Sequence, residues 1–236
     1  MAKRKRRPTE AAPAVAVRAD GLSKAYGDLT ALEPLDLCID AGTVVTLVGH
    51  NGSGKSTLLQ LVAGLLDPTA GSVDVFGHPA GSLPARAALT YLGDAPVLYD
   101  DLSVWEHLEY LARLNGVDDW EARGGELLDR FGLTERADDL PVQFSRGLRQ
   151  KTALVVGLVR DAGVLLIDEP FVGLDRRGKD ALLDIIGERR RTGATVVLAT
   201  HDSEVLGIAD RCVALHNGAV VHDGSSAPSA VEVLAG

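Results

Sequence analysis

The segment Val44-Val-Thr-Leu-Val48-Gly49-His-Asn-Gly-Ser-Gly54-Lys55-Ser56 decides the fold of this chain. It begins as an apolar run, which is typical of a strand buried on both faces of a parallel sheet. A glycine-rich loop follows the run and leads into a helical pattern. Apolar residues then recur at i, i+3, i+4 and i+7, which predicts a helix with one face on the sheet, at Leu58, Leu61, Val62 and Leu65. The unit is therefore strand, loop, helix.

The loop matches the pattern G-x-x-x-x-G-K-[ST] in the strand-to-helix context that this motif requires. Glycines let backbone N–H groups curl around phosphate oxygens, and the helix that follows presents its positive end to them. Lys55 is placed to reach the β- and γ-phosphates of ATP, and Ser56 to ligate Mg²⁺. A plain glycine-rich turn is the alternative interpretation. The predicted nucleotide-binding residues are Gly49, His50, Asn51, Gly52, Ser53, Gly54, Lys55, Ser56 and Thr57.

Two acids end a second buried run, Val164-Leu-Leu-Ile167, as Asp168-Glu169-Pro170. Asp168 is predicted to be a Mg²⁺ ligand. Glu169, one residue further on, can polarise the attacking water as a general base. A surface loop with incidental acids is the alternative.

The remaining pattern predicts an α/β fold with a P-loop NTPase core. Alternating residues at 15–17 and 35–39 indicate an N-terminal antiparallel β subdomain, and 195–199 indicates another buried strand. Strand-like runs disappear between about Gly93 and Arg160, where Ser103-Val-Trp-Glu106 supplies a capping box, so an inserted α-helical subdomain is expected there. Two short runs around His216-Asn-Gly218 predict a hairpin at the edge of the sheet.

Charge divides the chain into residues 1–13 and 14–236. Residues 3–7 are all Lys or Arg, whereas the whole chain of 236 residues has a net charge of −9. We expect 1–13 to be a basic disordered tail, either simply solubilising or in weak contact with anionic lipid, and 14–236 to be one ATPase domain. The acidic body predicts no specific nucleic-acid partner. No signal peptide or membrane span is predicted, and Cys38 and Cys212 are expected to be reduced, so a cytoplasmic location is expected.

Further motifs follow in an order that resembles the ABC ATPases, from about Val15 to Asp223. Phe144-Ser-Arg-Gly-Leu-Arg-Gln150 is similar to the family signature LSGGQ, and Gly173-Leu-Asp175 to the D-loop. Thr200-His201-Asp202 is similar to the switch-histidine segment, and Tyr26 matches the aromatic residue that stacks on adenine. The resemblance implies a RecA-like core. A P-loop kinase or GTPase would leave the signature and His201 unexplained.

The resemblance also implies a mechanism and partners. One protomer's loop at 49–56 would hold ATP, and Ser145 and Gly147 of a second protomer would cover it. His201 would bind the γ-phosphate, and Asp175 would couple the two sites of a homodimer or of a heterodimer with a paralogous ATPase. A separate transmembrane permease subunit would be driven by this dimer, with the chain attached peripherally at the inner face of the cell membrane. A non-transport ABC ATPase acting on ribosomes or nucleic acid is the alternative.

Two departures from the family pattern stand out. Where the family has its Q-loop glutamine, this chain has Gly93-Asp94-Ala95-Pro96, so Asp94 or Ala95 takes that place and Asp94 is a candidate Mg²⁺ ligand. Its charge beside a triphosphate would weaken ATP binding or alter coupling to the partner. In the signature, Arg146 replaces the first glycine and Leu148 the glutamine. Such variants resemble exporter-type ATPases.

Overall fold

The computed structural model describes residues 14–200 and 207–225. The predicted basic tail at 1–13 and His201 lie outside those ranges. Within them, the strands form a six-stranded sheet and a four-stranded sheet. No helix in the described part is long and apolar enough to cross a lipid bilayer.

The six-stranded sheet is the core of the molecule. It runs in the order β10-β9-β3-β8-β7-β6, and all neighbours are parallel except the β9/β10 hairpin. Its strands are β3 (Val44–Val48), β6 (Leu89–Leu92), β7 (Val164–Asp168), β8 (Thr195–Ala199), β9 (Arg211–His216) and β10 (Ala219–Gly224). Every residue of β3, β7 and β8 is buried, which confirms the prediction from their continuous apolar runs.

The hairpin at the sheet edge is confirmed. Asn217 and Gly218 connect β9 to β10 with φ angles of 48° and 81°, the two left-handed residues of a type I′ turn. The Gly218 N–H donates to the Ser53 carbonyl at 3.0 Å, and the Gly218 carbonyl accepts from the Glu33 N–H at 2.9 Å. The turn therefore supports the phosphate-binding loop from behind.

The antiparallel sheet is larger than the sequence indicated. It runs β2-β1-β4-β5, with β1 at Val15–Tyr26, β2 at Leu29–Asp40, β4 at Ala70–Val75 and β5 at His78–Pro79. The sequence predicted only short pieces of the first two strands and missed the other two. β4 begins with exposed Ala, Gly and Ser residues, which carry no strand pattern, and its pairing with β1 is what makes it a strand.

Helix α1 (Lys55–Val62) lies between the two sheets and buries Leu58, Leu61 and Val62 as predicted. The inclusion of Leu65 on the same face was wrong. Gly64 adopts a φ of 67° and ends the helix, so Leu65 turns outward and is 62% exposed. Spacing alone could not locate this left-handed stop.

Helices fill the interval from 93 to 160, which is described in full and contains no strand. Helix α2 (Leu83–Ala88) precedes β6, and α3 (Val104–Leu114), α4 (Trp120–Phe131) and α5 (Arg146–Leu158) follow it. The capping box of α3 is confirmed, because Ser103 N–H donates to Glu106 at 2.7 Å and Glu106 N–H donates back to Ser103 at 3.2 Å. Helix α6 (Arg176–Arg191) shares a second hydrophobic core with these helices.

Candidate nucleotide-binding site

The loop from Gly49 to Gly54 joins β3 to α1 and is held too closely for side chains at its ends. A Cβ on Gly49 would lie 2.2 Å from the Leu215 carbonyl oxygen, and one on Gly54 would lie 2.8 Å from the Ala31 carbonyl oxygen. Gly54 is also left-handed, with a φ of 103°, and no side chain caps the helix that it begins. The N–H groups of the first turn of α1 are therefore available to an anion.

Lys55 folds back over this loop. Its ammonium donates to the Gly49 carbonyl at 2.7 Å and to the His50 carbonyl at 3.2 Å, and it lies 3.9 Å from Glu169 Oε1. The side chain is almost fully buried, so its charge acts with little screening by solvent. A cation is thus fixed at the mouth of a loop of N–H groups, which suits binding of a phosphate.

The two predicted acids stand at the end of β7 beside the loop. Asp168 is 2% exposed, and among the described residues its Oδ1 atom has no hydrogen-bond partner. Burial raises the pKa of Asp168, and so do the charges of Glu169 and Asp94, whereas a hydrogen bond with Ser56 and the charge of Lys55 lower it. A buried carboxylate oxygen of this kind favours a bound cation.

The residues present fit Mg²⁺ in type and number. Ser56 and Asp168 place side-chain oxygens within hydrogen-bond distance of each other, and Asp94 lies close enough to affect the pKa of Asp168. Within 14–200 and 207–225, no three His, Cys, Asp or Glu side chains are grouped closely enough to hold a metal by themselves. Phosphate oxygens and water would complete the coordination, as is usual for Mg²⁺ at a nucleotide.

Glu169 has a strained backbone. Its φ is 45°, in the left-handed region that residues with a Cβ rarely adopt, and its N–H donates to the Ala199 carbonyl at 2.8 Å. This conformation turns the carboxylate toward Lys55 instead of continuing the strand. Strain of this kind is commonly kept where a side chain must be aimed at a reaction.

A groove of about 350 Å³ brings most of the predicted residues together. It is lined by Tyr26 at one rim, by residues 51–57 along its floor, and by Asp94 and Glu169 opposite. Leu29, Thr30 and Ala31 also line it, and sequence reasoning missed them because β2 carries no motif at that point. Gly49 and His50 do not line the groove, and the His50 ring meets the edge of the His216 ring with centroids 4.9 Å apart.

The predicted signature residues lie outside the groove of their own chain. Ser145 is exposed and caps α5, since its hydroxyl accepts from the Leu148 N–H. Gly147 packs against the Gly173 carbonyl so closely that a Cβ would lie 2.4 Å from that oxygen. The His201 prediction falls outside the described residues.

Asp175 has both carboxylate oxygens engaged within its own chain. One accepts from the Gly178 N–H at 2.8 Å and caps α6, and the other pairs with Lys151 at 2.8 Å. The hydrogen bond from Lys151 lowers the pKa of Asp175, and the bond from Gly178 adds to that effect. The D-loop candidate is therefore tied to α5, the helix that begins at the signature.

Known proteins resemble this chain over most of the segment that forms the site. The family model described as ABC transporter matches residues 32–172, from β2 past the acidic pair. This chain belongs to the ABC transporter family. It is an ATP-binding subunit of that family and an ABC-type ATPase, as the loop, the acidic pair and the signature indicated.

Curated relatives of this ABC protein include members of several transport systems. The ATP-binding protein EcsA of Bacillus subtilis is 35% identical, with 84% of this chain and 83% of EcsA covered. The import protein for aliphatic sulfonates SsuB of Burkholderia ambifaria is 37% identical, with 93% and 67% covered. The macrolide export ATP-binding/permease protein MacB of Rhodopseudomonas palustris is 36% identical over 86% of this chain. The match covers only 32% of MacB.

Solved structures agree with the family. The ATP-binding subunit of an ABC transporter superposes with a TM-score of 0.84 at 34% identity, covering 89% of this chain and 90% of that one. A dimeric ATP-binding cassette in a post-hydrolysis state with ADP and Pi superposes with a TM-score of 0.81 at 25% identity, covering 89% and 99%. The fold prediction is confirmed.

Proposed function

We propose that this ABC subunit works as a head-to-tail dimer that hydrolyses ATP to drive export through a separate membrane permease. The observation that supports this proposal is that Lys55 and Glu169 line the groove while Ser145 lies exposed outside it. The described part of the chain forms a phosphate cradle, and the residues predicted to cover a nucleotide face solvent away from it, so the cradle is complementary to a second copy. The dimeric cassette with ADP and Pi supports this arrangement.

The chain's own residues divide the work. The N–H groups at the start of α1 and the Lys55 ammonium bind the β- and γ-phosphates, and Tyr26 stacks on the adenine. Glu169 accepts a proton from the water that attacks the γ-phosphorus, and the bond to the ADP oxygen breaks in line. Ser56, Asp168 and Asp94 would hold Mg²⁺, which would supply neutralisation of the phosphate charge when bound.

The other predicted residues act around this centre. We assign Ser145 and Gly147 to cover the nucleotide of the partner copy, and His201 to bind the γ-phosphate. Because both Asp175 oxygens are engaged with Gly178 and Lys151, coupling between sites would pass through movement of α6 and α5 together. Gly49 and His50 would act by holding the loop backbone in place.

The permease would contact the helical part of the chain. A cavity of about 450 Å³ opens between the end of β6 and α5, with mostly apolar walls that include Leu92, Val97 and Val156. Val97 is 94% exposed and Tyr99 is 54% exposed beside it. Such a patch is typical of a protein contact. We assign it to a permease helix, which would place the chain at the inner face of the membrane, with residues 1–13 free to contact anionic lipid.

The direction of transport is the finer part of this proposal. Relatives with nearly equal sequence identity are named for import and for export. We infer export from the substituted signature, where Arg146 and Leu148 stand. A role on ribosomes or nucleic acid gains no support from a chain with a net charge of −9. Cargo accumulation in inside-out vesicles that contain the permease and this chain would favour export, and cargo loss would favour import.

The dimer is tested by mixing two variants that damage opposite halves of the same site. Lys55→Ala disables the phosphate cradle, and Ser145→Asp keeps the helix cap while placing a negative charge against the partner's nucleotide. Each variant alone should be inactive. An equal mixture should regain activity, because about a quarter of the composite sites would carry neither change in a two-fold dimer.

Ser82→Asp is the matched control, since Ser82 caps α2 in the same way, away from the groove. That variant should be as active as the wild-type chain. If the mixture stays inactive while both variants are folded and associate with each other, the shared site is wrong.

A further inference from the structure

The two departures from the ABC pattern meet in space. Asp94 follows β6 and Arg146 is the first residue of α5, and the Arg146 Nη2 atom lies 4.0 Å from Asp94 Oδ1. In the family pattern a glycine stands in place of Arg146, and the Q-loop glutamine falls at Asp94 or Ala95. An acid and a base introduced at two separate motifs thus form one ion pair at the rim of the groove.

The groove itself has an excess of negative charge. Asp94 and Glu169 line it and Asp168 lies behind them, whereas Lys55 is the cation among the described lining residues. Burial is the main cause that raises the pKa of Asp168 and of Tyr91, and the charge of Asp94 adds to both effects. A triphosphate entering this groove would meet repulsion that a neutral amide at position 94 would not produce.

Arg146 is poorly placed for stability but well placed to offset that charge. A cation in the first turn of a helix opposes the helix dipole, so α5 gains nothing from it. Its Cγ atom lies 4.0 Å from the position that a Cβ on Gly173 would take, so the side chain begins beside the segment that follows the acidic pair. The guanidinium ends near Asp94, and its own helix contains no Asp or Glu.

We propose that Arg146 is a positioning residue that neutralises Asp94 and so lets the groove accept ATP. This inference rests on the proposed nucleotide-binding function of the groove. Arg146 acts through Asp94 of the same chain. The ion pair between them connects α5, which begins at the signature, to the phosphate groove. The two charges act as a pair, because Asp94 without Arg146 would repel ATP.

A double-mutant cycle on ATP affinity tests the link. The dissociation constant is measured by equilibrium titration for the wild type, Arg146→Gln, Asp94→Asn and the double variant, with Mg²⁺ and with EDTA. Dilute protein, checked as a monomer by light scattering, excludes a contribution from a partner copy. Arg146→Gln alone should weaken binding about three- to fivefold, since the pair is exposed, and less than about twofold when Asp94 is already Asn.

Two further measurements separate a charge effect from a structural one. Arg146→Lys should restore affinity, and the defect of Arg146→Gln should shrink in 1 M salt, where charges are screened beyond about 3 Å. Arg113→Gln is the matched control, because it removes an equally exposed arginine, 72% against 73%, from an ion pair on α3. That control should leave affinity unchanged.

Each result decides the matter. Equal loss from Arg146→Gln in both backgrounds would mean that Arg146 contacts the nucleotide directly, and no loss in either would mean that the pair has no part in binding. Both would overturn the inference. Failure of the wild-type chain itself to bind ATP would instead refute the proposed function, so the two failures are distinguishable.

Discussion

Replacement of Glu169 by Gln isolates the proposed chemical step from binding and folding. The amide keeps the size of the side chain and the left-handed backbone, since the Glu169 N–H bond to Ala199 does not involve the carboxylate. What is lost is the group that takes the proton from water. General-base catalysis contributes about 10²- to 10⁴-fold, so the hydrolysis rate should fall by that factor, or about 3–5 kcal/mol in the barrier.

The stability of the chain should change little. Loss of the carboxylate removes an attraction to Lys55 at 3.9 Å, but it also removes repulsion of Asp168. Lys55 keeps its hydrogen bonds to the Gly49 and His50 carbonyls. These opposing effects should leave the free energy of unfolding within about 1 kcal/mol, which corresponds to a change in Tm of about 2–4 °C for a chain of this size.

The assay compares three measurements on one preparation. Phosphate release in saturating ATP gives the rate, equilibrium titration gives the ATP affinity, and calorimetry gives the Tm. Glu109→Gln, an exposed glutamate on α3, is the control and should match the wild type in all three. A Glu169→Gln rate within tenfold of the wild type would refute the assignment of Glu169 as the base. A large fall in Tm would mean instead that the strained turn depends on the carboxylate.

Two predictions concern packing and pH. Gly147→Ala should lower stability by about 1–3 kcal/mol, because the new Cβ would lie 2.4 Å from the Gly173 oxygen, and calorimetry should show no loss for Gly125→Ala, where nothing lies within 4 Å. Arg130 donates to Glu188 at 2.7 and 3.1 Å and holds the pKa of Glu188 below its usual range. The pair therefore stabilises the fold at pH values above the pKa that Glu188 has in the unfolded chain. This contribution is lost as the pH falls through the lowered pKa of Glu188 in the folded chain. Urea titrations should show that Glu188→Gln costs under about 1 kcal/mol at pH 7, since the pair is partly exposed, and nothing in acid.

Local sequence was sufficient to predict structure where the residues of one short segment determine its conformation. The strands at 44–48, 164–168 and 195–199 are buried on both faces, as their continuous apolar runs predicted. The capping box at Ser103 and the turn at Asn217 and Gly218 are likewise short-range features, each decided by two or three neighbouring residues. The floor of the groove belongs to the same class, because the loop and the first turn of α1 are contiguous.

Sequence was insufficient where a position depends on a distant partner. β4 exists because it pairs with β1, and Leu65 leaves the core because Gly64 turns left-handed against Gly81. The walls of the groove at Leu29, Thr30 and Ala31 come from a strand that has no motif there. In each case the missing information was which segments pack together, and composition and spacing do not contain it.

The ion pair between Asp94 and Arg146 also depends on residues that are distant in sequence, and it has a direct consequence for ATP binding. As separate substitutions, one adds negative charge beside the phosphates and the other adds a cation to a helix N-terminus, so each is unfavourable by itself. Only their separation of 4.0 Å turns two unfavourable changes into one neutral pair. The segment that carries Asp94 also walls the apolar cavity through Ala95 and Pro96. Any partner that moves this segment would therefore shift Asp94 relative to Arg146 and change the charge that ATP meets.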